Sequence, residues 1–297
     1  MVATKSTGGP METVQELTAE MQAEQAIGVQ AGVYLLELSL DWIILRASEN
    51  IHQLLAKSHV TLIEEPLGKF VHSQALHDLR NLFSRLSGTT GIGRAYGIRL
   101  TDDPDLVDVA FQLNDGRVLL EAVPSTGVFG ECFGSVGGLV AGLAASHGQS
   151  LLDNGARRMR ALTGYDRVSL VCGAERAESS RGAFAEAATV EDDLPIMIAN
   201  TEAELIPIYP RSVIESSIGD ALTHSPDPET TANLTQAGVR ASLRIPFEVD
   251  GIEGEFRCDS RTPREINFEL HAAAELFAQL FAMRLEIDRL KSSDQAK

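Results

Sequence analysis

Apolar residues along this chain follow two rhythms. Between residues 31 and 48 they come as short runs, "GVYLLEL" and "DWIILRA", broken at Ser39 to Asp41, which predicts two strands joined by a turn. Ser48 then stands where a helix N-cap is expected, ahead of "ENIHQLLA". In "SQALHDLRNLFSRL" the rhythm lengthens, and Ala75, Leu79, Leu82 and Leu86 share one helical face. "DVAFQL" and "RVLLEAV" flank Asn114-Asp115-Gly116, the composition of a tight hairpin. Together these elements predict one α+β unit over residues 27–124, preceded by a polar, Glu- and Gln-rich arm at residues 1–26.

A second unit is predicted over residues 150–291, with a tail at 292–297. In "SLLDNGARRMRALTGY", Leu152, Ala156, Met159 and Leu162 form an inward face and Gly164 is the stop. "DRVSLVCG" reads as a strand, and "RASLRIPFEVDGIEGEFRC" as a hairpin turning at Asp250-Gly251. Thr262, Pro263 and Glu265 then have the spacing of a capping box with proline at the first helical position, so a helix is expected to start there. Its apolar residues make two stripes. Ile266, Leu270, Ala273, Phe277 and Phe281 should meet the unit's own sheet. Leu276, Leu280, Met283, Ile287 and Leu290 alternate four and three apart, the spacing of a coiled-coil seam. The alternative is one wide core-facing surface.

Between the units lies "VFGECFGSVGGLVAGLAA", apolar but interrupted by glycines and Glu131. It reads as a bent connector within residues 125–149 rather than a membrane span. A net charge of −17 argues against nucleic acid and against anionic membranes, since both demand clustered Lys and Arg. Cys132, Cys172 and Cys258 are too widely spaced for a zinc site or a disulfide framework, and read as reduced thiols of a cytoplasmic protein. No metal ligands group together. No nucleophile stands at a recognisable distance from a base, so the chain is read as a non-enzyme.

Several phrases resemble the PAS–GAF photosensory module of bacterial phytochromes. "VQAGVYLLEL" and "IILRASENIHQLL" look like its PAS domain; "ALTGYDRVSLV" and "AGVRASLRIPFEVDG" followed by "CDSRTPRE" look like its GAF domain. The resemblance runs in order from about residue 27 to 290. It implies an α+β fold of a PAS and then a GAF domain built on antiparallel sheets, with a long C-terminal helix. It also implies an N-terminal arm threaded through a GAF loop as a figure-of-eight knot. In the family the GAF pocket holds an open-chain tetrapyrrole that light isomerises.

This chain departs from the family at the residues that hold the bilin. Bacterial phytochromes attach biliverdin through a cysteine ahead of the PAS domain, and residues 1–28 contain none. The plant and cyanobacterial attachment places Cys-His after Ser-Pro, where Ser225-Pro226 is followed by Asp227-Pro228. The family strand ends in Cys-His-His; this one ends in Cys258-Asp259-Ser260. Of two pocket serines Ser242 remains, and Arg244 occupies the other place. The Asp-Ile-Pro phrase survives as Asp193-Leu194-Pro195, but the segment around it is short by roughly a helix.

Ser242, Arg244, Asp259 and Ser260 are therefore the candidate pocket residues. Arg244 and Asp259 are expected either to pair or to reach solvent, Cys258 to be a small buried residue, and His224 to be a solvated loop histidine. No output module is visible up to Lys297. The reading is a PAS–GAF signalling or regulatory protein without covalent bilin or other cofactor, acting through a homodimer or an unknown signalling partner. The alternatives are a photoreceptor holding biliverdin or another tetrapyrrole non-covalently, and a sensor of a small metabolite in the PAS or GAF pocket.

Overall fold

The computed structural model describes residues 28–86, 91–126, 130–184, 196–211, 217–226 and 228–295. The arm at residues 1–26, and with it the threading, lies outside the described residues, as do Asp193-Leu194-Pro195 and Asp227.

Twelve strands are described: β1 (Gly28–Gln30), β2 (Tyr34–Ser39), β3 (Ile44–Ser48), β4 (Gly93–Ile98), β5 (Val107–Asn114), β6 (Arg117–Pro124), β7 (Arg167–Cys172), β8 (Glu175–Ser180), β9 (Met197–Ile198), β10 (Leu205–Tyr209), β11 (Ala241–Val249) and β12 (Ile252–Ser260). They form a seven-stranded sheet, ordered β1-β10-β3-β2-β6-β5-β4, and a five-stranded sheet, ordered β8-β7-β12-β11-β9. Both predicted hairpin turns are present. Asp115 and Gly116, like Asp250 and Gly251, have positive φ at both central positions, as a two-residue turn of this twist requires.

The described helices are α1 (Ile51–Leu55), α2 (His59–Leu62), α3 (Ser73–Leu86), α4 (Glu131–Ala141), α5 (Gln149–Thr163), α6 (Pro228–Gln236) and α7 (Phe268–Gln295). None is long and apolar enough to cross a membrane. Helices α1 to α3 cover one face of the larger sheet, where Trp42, Ile44, Leu79, Phe111 and Leu120 pack together. Its other face, with Val33, Leu35, Ala110 and Leu119, joins a core shared with α4, α5, α7 and the smaller sheet. Burial on both faces explains why "VLLEAV" in β6 is continuous rather than alternating. In the shared core Phe256 meets Phe277 and Phe281 at centroid distances of 6.1 and 5.1 Å. Helix α5 packs against α7 at Gly155, where a Cβ would fall 2.4 Å from the Phe281 ring.

Four local expectations are corrected. Ser48 is not a helix cap: it ends β3, and its Oγ accepts the Leu35 amide at 3.0 Å. The glycine-rich stretch contains a helix, α4, whose entry is held by Glu269: its Oε1 accepts the amides of Gly130 and Cys132. The long helix does not start at Thr262. The Arg264 amide is taken by the Ala199 carbonyl at 2.9 Å, and the side chain of Asn267 caps Leu270 at 2.8 Å, so the helix starts at Phe268. Finally, the first sheet is not built from residues 27–124 alone: β10, from far along the chain, lies between β1 and β3.

Buried polar contacts tie the two sheets together. Glu121 on β6, 1% exposed, accepts the amides of Leu222 and Thr223 at 2.9 Å each. Burial raises its carboxyl pKa, against the pull of those hydrogen bonds. Gln30 donates to the Met197 carbonyl and accepts the Ala199 amide, both at 2.6 Å. On the far side Arg94 of β4 reaches α7, with Nη2 2.8 Å from Glu275 and 2.7 Å from His271 Nδ1.

Candidate functional site

Strand alternation decides which candidates can meet. Residues directly opposite in an antiparallel ladder share a face, and β11 pairs Ser242 with Asp259, Arg244 with Arg257 and Ala241 with Ser260. Ser242, Arg244, Asp259 and Arg257 therefore share the outer face of the smaller sheet. Leu243, Cys258 and Ser260 fall on the other face, toward the shared core.

Asp259 is the centre of the outer face and is fully buried. Its Oδ2 accepts from Arg167 Nε at 3.0 Å and Nη2 at 2.6 Å. Its Oδ1 accepts from Ser242 Oγ at 3.1 Å and Arg257 Nε at 3.2 Å. One carboxylate thus stitches β7, β11 and β12, and each buried oxygen has donors, which is the condition for keeping such a charge out of water. Phe184 lies over the cluster, its ring centroid 4.4 Å from the Arg167 guanidinium carbon and 3.8 Å from that of Arg261. Beside it, Ile198, Leu234, Ala237 and Val239 make a small apolar core that packs with Phe184.

Arg244 is not the partner of Asp259. It forms a two-pronged pair with Glu255, Nε at 2.8 Å and Nη2 at 2.6 Å. The geometry is diagonal across the ladder, where long side chains reach a neighbour two residues away. Ser260 hydrogen-bonds near Asp166, Thr262 and Arg264 instead of joining the outer face. Cys258 is fully buried, and burial pushes its thiol well up from its usual range, which leaves it a poor nucleophile. His224 is half-buried, with Nδ1 2.9 Å from the Ala221 carbonyl. Among the described residues no group of three His, Cys, Asp or Glu could hold a metal ion.

Sequence reasoning missed Arg167, Arg257 and Phe184. Alternation along β12 alone could have put Arg257 on the face of Asp259, two residues away. Strand order could not be read, because it depends on β7 pairing with β12 across some ninety positions.

Four of the five residues in the C-terminal stripe are exposed. Leu276, Met283, Ile287 and Leu290 are 38, 59, 46 and 59% exposed, and Leu280 is partly buried against the shared core. Ala273, Phe277 and Phe281 on the opposite stripe are fully buried.

No family model matches this chain, and no curated protein matches it. Solved structures do. The chromophore-binding domain of an unusual bacteriophytochrome from R. palustris is 21% identical with a TM-score of 0.68, covering 90% of this chain and 97% of that one. A longer structure of that bacteriophytochrome gives 18% and 0.73; the match covers 89% of this chain and 60% of that one. The chromophore-binding domain of a Stigmatella aurantiaca bacteriophytochrome in the Pr state gives 22% and 0.71, covering 87% and 95%. This chain therefore has the PAS–GAF fold of the bacteriophytochrome chromophore-binding domains, with antiparallel sheets, flanking helices and a long C-terminal helix.

Proposed function

We propose that the chain is a phytochrome-like PAS–GAF signalling protein that carries no covalent bilin and acts by protein–protein contact through α7. The PAS domain is assigned to residues 27–124 with β10 added, and the GAF domain to residues 150–291. The observation that carries the reading is the Asp259 clamp. A tetrapyrrole needs a large pre-formed pocket with a few placed polar groups. Here the corresponding sheet face is crossed by Arg167–Asp259–Arg257 and Arg244–Glu255 pairs and covered by Phe184. The attachment cysteines are absent from their places in the sequence.

Output through α7 is supported by its exposed apolar stripe. Each such side chain, still 38–59% exposed, has a fraction of the roughly 1.5–3 kcal/mol of full burial left to gain, so the stripe favours a second copy lying along it. The seam pairs two protomers, and an unknown signalling protein is the alternative occupant. Changing Met283 and Ile287 to Asp puts charge in the seam without touching the core. The mass in solution should fall from dimer to monomer with the helical signal unchanged. A wild-type chain that is already monomeric contradicts the homodimer.

A further inference from the structure

A cleft of about 480 Å3 separates the PAS and GAF sheets, away from the Asp259 face. Its walls are mostly apolar, with Val123 and Pro124 at the end of β6, Ala203 after β9, and Pro263 and Ile266 in the segment that leads into α7, beside the polar Ser125, Thr126 and Asn200. The floor is fixed, because the Gln30 side chain is hydrogen-bonded to Met197, Thr223 and Ala199. Arg264 lines the same space. Its guanidinium is held in place by bonds from Nε to Ser260 Oγ (3.3 Å) and from Nη2 to the Gly164 carbonyl (2.5 Å), and it stacks over the Tyr165 ring at 5.1 Å. Nη1 has no acceptor among the described residues.

We infer that this cleft binds a small molecule with an apolar body and a single carboxylate, the acid accepting from Arg264 Nη1. Size, mostly apolar walls and a position between two domains are those of ligand sites in general. A guanidinium already fixed in the plane of its other bonds loses little freedom when it meets an acid, and such charge-assisted bonds are the strong ones. Glu265, exposed at the same rim, disfavours a ligand with a second negative charge. None of the Asp259-face residues Arg167, Ser242, Arg244, Arg257 or Phe184 lines this cleft. Because its wall, residues 263–266, runs directly into Asn267 and the start of α7, occupancy bears on the helix to which output was assigned. The inference names a signal for that reading, yet binding is measured apart from oligomeric state, so each can fail alone.

The test uses 2-naphthoate and its uncharged analogue 2-naphthalenemethanol, titrated by calorimetry into the whole chain. Both should bind, the acid more tightly. Arg264→Gln should weaken the acid by about tenfold, the order of one charge-assisted hydrogen bond, and leave the alcohol unchanged. Ala203→Trp, which fills the cleft, should weaken both. Contacts from the naphthyl protons to the Val123 and Ile266 methyls, seen by NMR on the wild-type chain, locate the site even if a variant fails to fold. Absence of acid binding at millimolar concentration, equal loss of acid and alcohol in Arg264→Gln, or naphthyl contacts elsewhere overturns the inference.

Discussion

Ser242 and Asp259 stand directly opposite each other on β11 and β12, and the serine hydroxyl donates to the carboxylate at 3.1 Å. Arg167 approaches that carboxylate from β7 and Arg257 from its own strand. The end of this strand is occupied by the protein's own charges. Closing the face this way demands that every member be present.

Removing the carboxylate should therefore be costly. Asp259→Ala removes the carboxylate from the buried Arg167 and the partly buried Arg257, and breaking a buried pair typically costs about 3–5 kcal/mol. Asp259→Leu combined with Arg167→Met should recover part of the loss, because an apolar replacement of the whole pair removes both desolvated charges. Urea unfolding of the singles and the double measures this. A loss under about 1 kcal/mol for Asp259→Ala, the size of an exposed pair, would place the clamp in water.

Restoring two histidines should not restore a photosensor. In Asp259→His with Ser260→His the two imidazoles fall on opposite faces of β12, and the first meets Arg167 and Arg257 instead of a bilin. With a cysteine added to the arm and biliverdin supplied, no reversible red/far-red difference spectrum is expected. Its appearance would mean that the face opens readily.

Much of this fold was legible because its signals are local. Asp115-Gly116 and Asp250-Gly251 announce their turns, and the stop at Gly164 is an αL cap whose amide bonds the Arg160 carbonyl. On α7, Ala273, Phe277 and Phe281 are buried while Leu276, Met283, Ile287 and Leu290 are exposed; Leu280 of the second stripe packs against the core, and Ile266 of the first lies ahead of the helix. What failed depended on distant partners. Thr262-Pro263-Glu265 has the composition of a helix start, but Ala199 claims the Arg264 amide and Asn267 caps further on. Ser48 has the chemistry of a cap, but the Leu35 amide claims its hydroxyl. The insertion of β10 between β1 and β3 leaves no mark in the pattern of residues 27–124. At the site, Ser242, Arg244 and Asp259 of the four candidates fall on one face, and Ser260 falls on the other. Of the two alternatives for Arg244, the pair with Asp259 does not form: Glu255 and Asp259 are both diagonal to it, but the Asp259 carboxylate is taken by Arg167, Ser242 and Arg257, and Arg244 turns to Glu255.

The link between the PAS sheet and α7 should make stability depend on pH. His271 is 1% exposed, and burial, together with Arg94 beside it, holds its imidazole down to about 3. The unfolded chain takes up that proton near pH 6.5, so between 6.5 and about 3 it binds more protons than the folded one. Stability from His271 is complete above pH 6.5 and falls as the medium is acidified through that window, by up to about 1.4 kcal/mol per pH unit. Glu275, raised by burial, has the opposite trend, so the wild type must be compared with His271→Gln, which keeps an acceptor for Arg94. Unfolding at pH 6.5 and 5 should show a smaller acid loss in the variant. Equal losses would mean that His271 protonates in place.

The most direct measurement of the central claim is biliverdin added to the purified chain, followed by an absorption spectrum and by denaturing electrophoresis with zinc. The closed Asp259 face and the missing attachment cysteines give no red-absorbing holoprotein and no zinc-fluorescent band. A red band that survives denaturation, with the pigment mapped to Cys132, Cys172 or Cys258, would contradict the account outright.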